Sequence, residues 1–402
     1  MKEGWEIKKL GDIGKVSMCK RVLKEQTSTI GDIPFYKIGT FGKRPDAFIS
    51  KYIYEEFRKK FSFPKKGDIL ISASGTIGRR VRYDGKPGYF QDSNIVWIDN
   101  DEKQVLNNYL YRFYEICDWQ STKGATISRL YNDNLRQIEI PFPTSLPEQQ
   151  RIVSILDEAF AAIAKAKANA EQNLKNAKEL FESYLQGVFE NKGDGWEEKT
   201  LAESFQIKPP KKEAKDKLSE SDLVSFLPME DLGVLNKEIK YVKERFLKDV
   251  SGSYTYFANN DVLLAKITPC FENGKIGIAR NLKNGIGFGS SEYIVFRSDG
   301  SVIPDYLYYF LARQRFRVEG AERMSGAVGH KRVSKDWIEG YLFPFPKSLK
   351  EQQTIVQKLE ALNAETKKLE TIYQQKINNL EELKKSILQK AFSGELTARE
   401  VV

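Results

Sequence analysis

Pro141-Phe142-Pro143 and Glu148-Gln149-Gln150-Arg151-Ile152-Val153 recur together as Pro344-Phe345-Pro346 and Glu351-Gln352-Gln353-Thr354-Ile355-Val356. The copies are offset by a steady 203 residues, far more than the period of a solenoid repeat. Each copy opens a long stretch without proline. We therefore interpret the chain as one unit written twice, a globular part followed by a segment that begins at Glu-Gln-Gln.

Weaker repeats support this interpretation along the rest of the chain. They pair Gly4-Trp5-Glu6 with Gly195-Trp196-Glu197, Gly67-Asp68-Ile69-Leu70 with Asn260-Asp261-Val262-Leu263, Gly75-Thr76-Ile77-Gly78 with Gly274-Lys275-Ile276-Gly277, Tyr109-Leu110-Tyr111 with Tyr306-Leu307-Tyr308, and Lys123-Gly124-Ala125 with Ser325-Gly326-Ala327. We predict a first globular domain over 1–147, a first spacer helix over 148–192, a second globular domain over 193–349, and a second spacer helix with a tail over 350–402.

The two segments after Glu-Gln-Gln are predicted to be long helices. Ser145-x-x-Glu148 and Ser348-x-x-Glu351 fit a capping box, and apolar or small residues then recur at steps of four and three, as in a coiled-coil seam. These positions are 152, 156, 159, 163, 166, 170, 174, 177, 181, 184 and 188 in the first helix, and 355, 359, 362, 369, 372, 377, 380, 383 and 387 in the second.

How the two helices pair is a separate question. An antiparallel pair sets the alanine-rich stretch 159–170 against the bulky stretch 377–387, so that small side chains face large ones. A parallel pair sets the alanines against Leu362 and Leu369, which also packs, and each helix could instead dock on its own domain. We favour pairing because neither helix has enough globular chain beside it to bury its length.

The globular parts are predicted to be α+β, with a mostly antiparallel, curved sheet. Strand-like runs cover 68–73, 94–98, 137–140, 261–266 and 293–297, and aromatic amphipathic helices cover 106–119 and 304–317. The fold class is thus two pseudo-symmetric globular domains, each followed by a long helix, with the helices forming an antiparallel coiled coil.

Composition limits the functional classes. The 402 residues carry a net charge of +9, and residues 1–147 account for +7 of it, so a polyanion is a plausible partner. Three scattered cysteines without a Cys-x-x-Cys pair make a structural zinc site improbable and fit a reducing cytoplasm. No apolar run is long enough for a membrane helix, and the N-terminus lacks a signal core.

The search for catalytic motifs gives no match. There is no phosphate-binding Gly-x-x-x-x-Gly-Lys-Ser/Thr loop, and Gly287-Phe288-Gly289 lacks the remaining glycine of the dinucleotide fingerprint. Pro209-Pro210 lacks the Asn or Asp before it and the aromatic after it that an amino-methyltransferase requires. The single histidine, His330, lies in a glycine-rich basic loop, where a surface or phosphate contact is the better interpretation. We therefore predict a binding protein with no catalytic, metal or cofactor site.

Three loops in each half combine cations with glycine, as contact to phosphates and base edges requires. In the first half the candidate DNA-binding residues are Lys37, Lys43 and Arg44; Thr76, Arg79, Arg80 and Arg82; and Lys123, Thr126 and Arg129. In the second half they are Lys266, Lys275, His330, Lys331 and Arg332. Each loop alone could equally be a solvated hairpin, but recurrence at matching places favours function. The run 208–217 is interpreted as a solvated loop.

Taken together, these motifs resemble the DNA-specificity subunit of type I restriction-modification systems. The carriers are Gly4-Trp5-Glu6, Gly67-Asp68-Ile69-Leu70, Gly75-Thr76-Ile77-Gly78, and Pro141-Phe142-Pro143 leading into Pro147-Glu148-Gln149-Gln150. The second copy departs from this pattern at Lys350, where the first has Pro147, and at Asn260, where the first has Gly67.

The resemblance implies that each globular domain is a target-recognition domain that reads one half of a bipartite, asymmetric site in double-stranded DNA. It implies a coiled-coil spacer that docks two methyltransferase subunits and can be joined by restriction subunits. S-adenosylmethionine, ATP and magnesium would then sit on those partners, and this chain would need no cofactor, no membrane and no catalysis of its own. A stand-alone DNA methyltransferase or nuclease, and a coiled-coil scaffold without nucleic acid, are the alternatives.

Overall fold

The computed structural model describes residues 3–119, 129–240, 243–327 and 329–396. The chain divides into two compact units. Unit 1 comprises residues 1–170 and 375–402, and unit 2 comprises residues 171–374. Each unit therefore holds one globular part with a portion of both long helices, and the domain limits expected from the sequence stay a prediction. Over the described ranges, no helix is both long and apolar enough to cross a membrane.

Short elements make up the globular part of unit 1. In chain order they are β1 (Trp5–Lys9), α1 (Leu10–Ile13), β2 (Gly14–Met18), β3 (Ile33–Tyr36), β4 (Phe48–Ile49), α2 (Lys51–Lys60), β5 (Ile69–Ser72), β6 (Arg80–Arg82), β7 (Tyr89–Phe90), β8 (Ile95–Asn100), α3 (Asn107–Phe113), α4 (Asn132–Gln137) and β9 (Glu139–Pro143); the long helix α5 (Leu146–Glu190) follows.

The globular part of unit 2 repeats this order with insertions. Its elements are β10 (Trp196–Thr200), α6 (Leu201–Ser204), β11 (Phe205–Ile207), α7 (Lys212–Lys217), β12 (Leu223–Leu227), β13 (Lys243–Phe246), α8 (Leu247–Val250), β14 (Thr255–Ala258), β15 (Val262–Ala265), β16 (Ile276–Ile278), β17 (Ile286–Gly289), β18 (Tyr293–Ser298), α9 (Pro304–Ala312), α10 (Gln314–Glu322), β19 (Met324–Ser325), β20 (Arg332–Val333), α11 (Lys335–Glu339) and β21 (Leu342–Pro346); the long helix α12 (Leu349–Ser393) follows.

The main antiparallel sheets of the two units correspond strand by strand. The order β2-β8-β5-β6 in unit 1 matches β11-β18-β15-β16 in unit 2, and both sheets are antiparallel. A second sheet in each unit contains one parallel pair, β3 with β7 and β12 with β17. The predicted α+β class with mostly antiparallel pairing is confirmed.

A buried glutamine joins each long helix to its globular part. Gln149 donates from Nε2 to the carbonyls of Gln104 (2.7 Å) and Pro143 (2.9 Å), and its Oε1 accepts from the Leu106 N–H (2.9 Å). Gln352 makes the same three bonds in unit 2, with Ser301, Pro346 and Ile303. Both side chains are fully buried, so the repeated Glu-Gln-Gln motif encodes a latch at the start of each helix.

The long helices pair antiparallel within each unit. In unit 1, Lys167 of α5 lies 2.6 Å from Glu381 of α12, and Phe160, earlier on α5, lies under the ammonium of Lys384, later on α12. In unit 2, Leu185 and Phe189 of α5 share a buried cluster with Val356 and Leu359 of α12. The predicted antiparallel pair is confirmed, and the parallel alternative is wrong.

The predicted seam of the helices is only partly correct. Tyr184, Leu369, Ile372 and Leu383 were expected in the seam but are exposed. On α12 the buried line instead runs through Thr366, whose hydroxyl donates to the Leu362 carbonyl (2.9 Å) and so needs no partner across the interface.

Two helix predictions are also wrong in extent. The helix expected over 106–119 ends at Phe113. The helix expected over 304–317 breaks at Arg313, which has extended backbone (ψ 138°) and separates α9 from α10. The guanidinium of Arg313 folds back onto α9, donates to the Phe310 carbonyl (2.8 Å) and covers the Phe310 ring. This contact satisfies a carbonyl at the helix end and explains the break.

The pairing of the two copies expected from the sequence is wrong at one glycine motif. Leu70 of β5 pairs with Val81, whereas Leu263 of β15 pairs with Gly277, so Gly277 is equivalent to Val81 and not to Gly78. Gly274 is the true counterpart of Gly78, and both have positive φ (76° and 80°). Asn260 in place of Gly67 fits the same logic, since both have positive φ (72° and 98°) and asparagine tolerates that region.

Candidate nucleic-acid interface

In unit 1 the first two candidate loops are tied together at one edge of the sheets. The Arg79 guanidinium donates to the Phe41 carbonyl (3.1 Å) and lies 3.5 Å from the Ile38 carbonyl. The Ile38 N–H donates to Gln91 Oε1 (2.9 Å), which adds the turn between β7 and β8. The loop after β3, the turn after β5 and the turn after β7 therefore form one continuous surface, held by a cation on backbone carbonyls.

The end of the third segment contacts the turn after β5. The Leu130 N–H donates to the Ala73 carbonyl (2.8 Å), and Arg129 forms an isolated bridge with Ser74. Ser74 donates in turn to Asn94 Oδ1 (2.9 Å). Lys123 and Thr126, also predicted to bind DNA, lie outside the described residues.

The candidate side chains of unit 1 differ in accessibility. Five of the candidates are exposed, namely Lys43, Arg44, Thr76, Arg82 and Arg129. The four cations among them are the charges that a polyanion could reach. Lys37 is half-buried and forms an ion pair with Asp46 (2.9 Å). The Arg79 guanidinium donates to the loop carbonyls, and its part in DNA binding stays a prediction.

Arg80 points into unit 1, away from the loop tips. It forms a 2.8 Å ion pair with Glu115, whose side chain is only 7% exposed, and its guanidinium lies over the Tyr111 ring. Arg112 (2.7 Å) and Lys384 of α12 (3.2 Å) contact the same carboxylate. Burial alone would raise the pKa of Glu115, but these three cations outweigh it and lower the pKa below its ordinary value.

Unit 2 builds the same loop junction with a lysine. Lys275 occupies the position of Arg79 once the repeat is aligned by strand register, and its ammonium donates to the Met229 carbonyl (2.7 Å). Met229 lies in the loop after β12, the strand equivalent to β3. Arg79 and Lys275, both predicted to bind DNA, thus hold the neighbouring loop in the same way in their respective units.

The remaining candidates of unit 2 converge beside that junction. The Val333 N–H donates to the Lys266 carbonyl (2.9 Å), and the Thr268 N–H donates to the Lys331 carbonyl (2.9 Å). Arg332 bridges to Ile267 just as Arg129 bridges to Ser74. His330, Lys331 and Arg332 are exposed. The residues that end the third loop therefore occupy matching positions in both units, whereas residues 120–128 of the unit 1 loop lie outside the described residues.

One ion pair organises this part of unit 2. Arg332 makes a bidentate contact with Glu292 (2.7 and 2.9 Å), and this hydrogen bonding lowers the Glu292 pKa. Lys266, half-buried nearby, donates to the Ser291 carbonyl (3.0 Å). Its pKa is lowered, first by burial and then by the charges of Arg332 and Lys208, although Glu292 acts in the opposite direction.

Sequence reasoning missed part of this surface. The run 208–217 is not simply a solvated loop, because α7 forms over Lys212–Lys217 with Ala214 buried. Lys208, Lys211 and Lys335 line a cavity beside Lys266. The lysine spacing 208, 211 was visible in the sequence, but only the fold brings Lys266 and Lys335 to it. In the described ranges, no group of three or more His, Cys, Asp or Glu residues is placed to hold a metal ion.

The chain is similar to a defined set of proteins. The family model described as "Type I restriction modification DNA specificity domain" matches residues 2–175 and again residues 193–382. A protein of Haemophilus influenzae named as a type I restriction enzyme specificity subunit is 66% identical over 149 residues, covering 37% of this chain and 38% of that protein. The EcoAI specificity subunit of Escherichia coli is 39% identical over 164 residues, covering 40% of this chain and 27% of that protein.

The match spans well under two thirds of the length of these two relatives. A solved chain from a study of complex assembly and conformational transition of the type I R-M system is similar in fold, with a TM-score of 0.71 over 98% of both chains at 17% identity. The family model covers most of the sequence in two copies, in agreement with the repeat of sheets, latches and loops. The chain belongs to the family of type I restriction-modification DNA specificity proteins.

Proposed function

We propose that this chain is the non-catalytic DNA-recognition subunit of a type I restriction-modification complex. The globular part of each unit reads one half of a bipartite, asymmetric site in double-stranded DNA. The paired helices fix the spacing and dock methyltransferase subunits, two of them by the symmetry of the repeat, and restriction subunits can join. S-adenosylmethionine, ATP and magnesium belong to those partners.

One observation supports this proposal above the others. Both units hold the loop after their parallel strand with a cation from the neighbouring turn, Arg79 in unit 1 and Lys275 in unit 2. Both then place a further basic segment beside that turn, through Leu130 and Val333. The framework is the same while the exposed side chains differ, as two readers of different half-sites require. Base edges in the major groove are distinguished by such side chains.

The helices offer a surface for the partner subunits. In unit 2, α5 exposes Leu180 and Tyr184, and α12 exposes Leu369 and Ile372, with relative exposures between 37% and 53%. Large apolar side chains left in water on the outside of a helical pair are typical of a helix-packing interface with a partner. We propose that these four side chains, hereafter called the outer helix face, contact a methyltransferase subunit.

The test is binding of duplex DNA by this chain assembled with its methyltransferase subunit. We expect affinity that falls steeply with salt and a preference of at least about 10³-fold for the genomic site over random duplex. The chain alone should transfer no methyl group from labelled S-adenosylmethionine. Methyl transfer by the chain alone, or no preference among duplexes in the assembled complex, contradicts the proposal.

A further inference from the structure

A cavity of about 330 Å³ in unit 2 is lined by four lysines, Lys208, Lys211, Lys266 and Lys335. It opens beside the candidate nucleic-acid interface, because Lys266 and Ser291 belong to both. We call it the lysine cavity.

Two of the four ammonium groups are held in place by the backbone. Lys266 donates to the Ser291 carbonyl (3.0 Å), and Lys211 donates to the Gly252 carbonyl. These neutral acceptors fix the position of each ammonium without neutralising it, although the carboxylate of Glu292, outside the lining, partly offsets the charge of Lys266. Of the four lysines, Lys335 is the one paired within the lining, with Glu339 at 3.3 Å. The described lining residues therefore carry four cations and one carboxylate.

Burial and mutual repulsion disfavour the charged form of two of these lysines. Burial lowers the pKa of Lys211, and the nearby charges of Lys208 and Lys215 lower it further. The pKa of Lys266 is also lowered, first by burial and then by the charges of Arg332 and Lys208, against the opposing effect of Glu292. Tyr254, Tyr256 and Tyr293 form part of the wall. Lys211 and Lys266 are half-buried there whereas Lys208 and Lys335 are exposed, so the two half-buried charges interact with their neighbours more strongly than on an open surface. An anion that entered the cavity would relieve the repulsion.

Unit 1 does not repeat this arrangement. Lys208 donates its N–H to the carbonyl of Val295, the counterpart of Trp97, which places Lys208 opposite Ser17 in the repeat. Lys266 is equivalent to Ala73, since each accepts from the segment after the third loop, and Lys335 follows as the equivalent of Asn132. At these three positions unit 1 has a neutral residue, so at least three of the four charges are particular to unit 2.

We propose that the lysine cavity binds a phosphate group of the DNA backbone, so that unit 2 makes a backbone contact with no equivalent in unit 1. This inference rests on the proposed function, and it adds which residues hold the duplex. A phosphate contact positions the protein without reading sequence. The cavity should therefore set affinity and register but leave the recognised bases unchanged.

The experiment uses the full chain assembled with its methyltransferase subunit. The variant Lys208→Gln with Lys211→Gln removes two cavity charges, and the matched control Lys212→Gln with Lys217→Gln removes two charges from exposed positions of the same run that do not line the cavity. The slope of log affinity against log salt should become shallower by about 0.9 for one lost phosphate contact in the cavity variant. The slope of the control should equal that of the wild type, and the methylated motif should be the same in all three.

A second measurement identifies the source of the phosphate. Inorganic phosphate should raise the melting temperature of the wild-type chain more than chloride at equal ionic strength, and this difference should disappear in the cavity variant. Phosphate stabilisation with an unchanged DNA slope would mean a site for free phosphate and would overturn the inference. Equal slopes in the cavity variant and the control would also overturn it. A wild-type complex that binds no DNA would instead defeat the proposed function itself.

Discussion

In each unit, a single buried glutamine joins the long helix to the globular part. Gln149 and Gln352 each bond three backbone groups with one side chain. Their neighbours Gln150 and Gln353 are exposed, so adjacent identical residues have opposite roles. The repetition of Glu-Gln-Gln in the sequence indicates that the motif matters. It could not say which glutamine is the latch, because that depends on the rotation of the helix relative to its globular part.

Replacing the latch should cost stability. Gln149→Ala leaves two carbonyls and one N–H buried without a partner, and we expect a loss of about 3 kcal/mol in the free energy of unfolding. The matched control is Gln150→Ala, which should change it by less than about 0.5 kcal/mol. Urea unfolding of the full chain measures both. Equal losses in the two variants would show that Gln149 is not a latch.

The buried carboxylate Glu115 makes a pH-dependent prediction. Its pKa is lower in the folded than in the unfolded chain, so its stabilisation is present above the unfolded pKa and is lost as pH falls through the folded pKa. Glu115→Gln should therefore lower the free energy of unfolding by about 3 kcal/mol at neutral pH. The gap to wild type should shrink as pH drops below the ordinary range of glutamate. A gap that stays constant down to acid pH would contradict the ion-pair account.

Arg79 and Arg80 are adjacent in sequence but should respond differently to substitution. Arg79→Ala releases the loop after β3 and should weaken DNA binding by the assembled complex about tenfold, with little effect on folding. Arg80→Ala breaks a half-buried pair with Glu115 and should lower the melting temperature instead. Binding titrations and melting curves on both variants separate the two roles. A binding defect confined to Arg80→Ala would reverse the assignment.

At the scale of elements, the sequence predicted strands and helices well where one periodicity dominates. The runs 68–73 and 261–266 became β5 and β15 because buried strands read as continuous apolar stretches. The failures occurred where tertiary contacts decide. Arg313 breaks a helix by folding onto Phe310. Thr366 lies buried in the seam where Leu369 was expected, because its hydroxyl donates to the Leu362 carbonyl of the same helix. Register across the turn between β15 and β16 depends on ladder pairing, which a short glycine motif does not encode.

The outer helix face should matter for assembly but not for folding. Leu369→Glu with Ile372→Glu places charges where apolar side chains are already in water, so the free energy of unfolding should change by less than about 1 kcal/mol. Association with the methyltransferase subunit should weaken at least about tenfold, because a charge would be buried in the interface. Lys367→Glu with Lys368→Glu is the control with new acidic residues at neighbouring exposed positions. Gel filtration and calorimetry would detect unchanged association, which would remove this face from the interface.

At the scale of the whole molecule, the chain carries two globular parts of the same fold and two continuous helices of 45 residues each. The duplication, the antiparallel pairing and the family could be predicted from the sequence, because repeats and long apolar periods survive without knowledge of the fold. The lysine cavity could not, because Lys208, Lys266 and Lys335 are far apart in the chain and meet only through the strand order β11-β18-β15. Differences between the two copies are therefore where specificity is expected.

The most direct measurement is the methylated motif in cells that express this chain with its methyltransferase subunit, read by methylation-sensitive sequencing. We expect two half-sites separated by unread base pairs. Inserting one heptad into both α5 and α12 lengthens each helix by about 10.5 Å and should widen the unread gap by about three base pairs, at about 3.4 Å per pair, with both half-sites unchanged. A continuous motif in the wild type, or altered half-sites with the original gap in the heptad variant, would contradict the account.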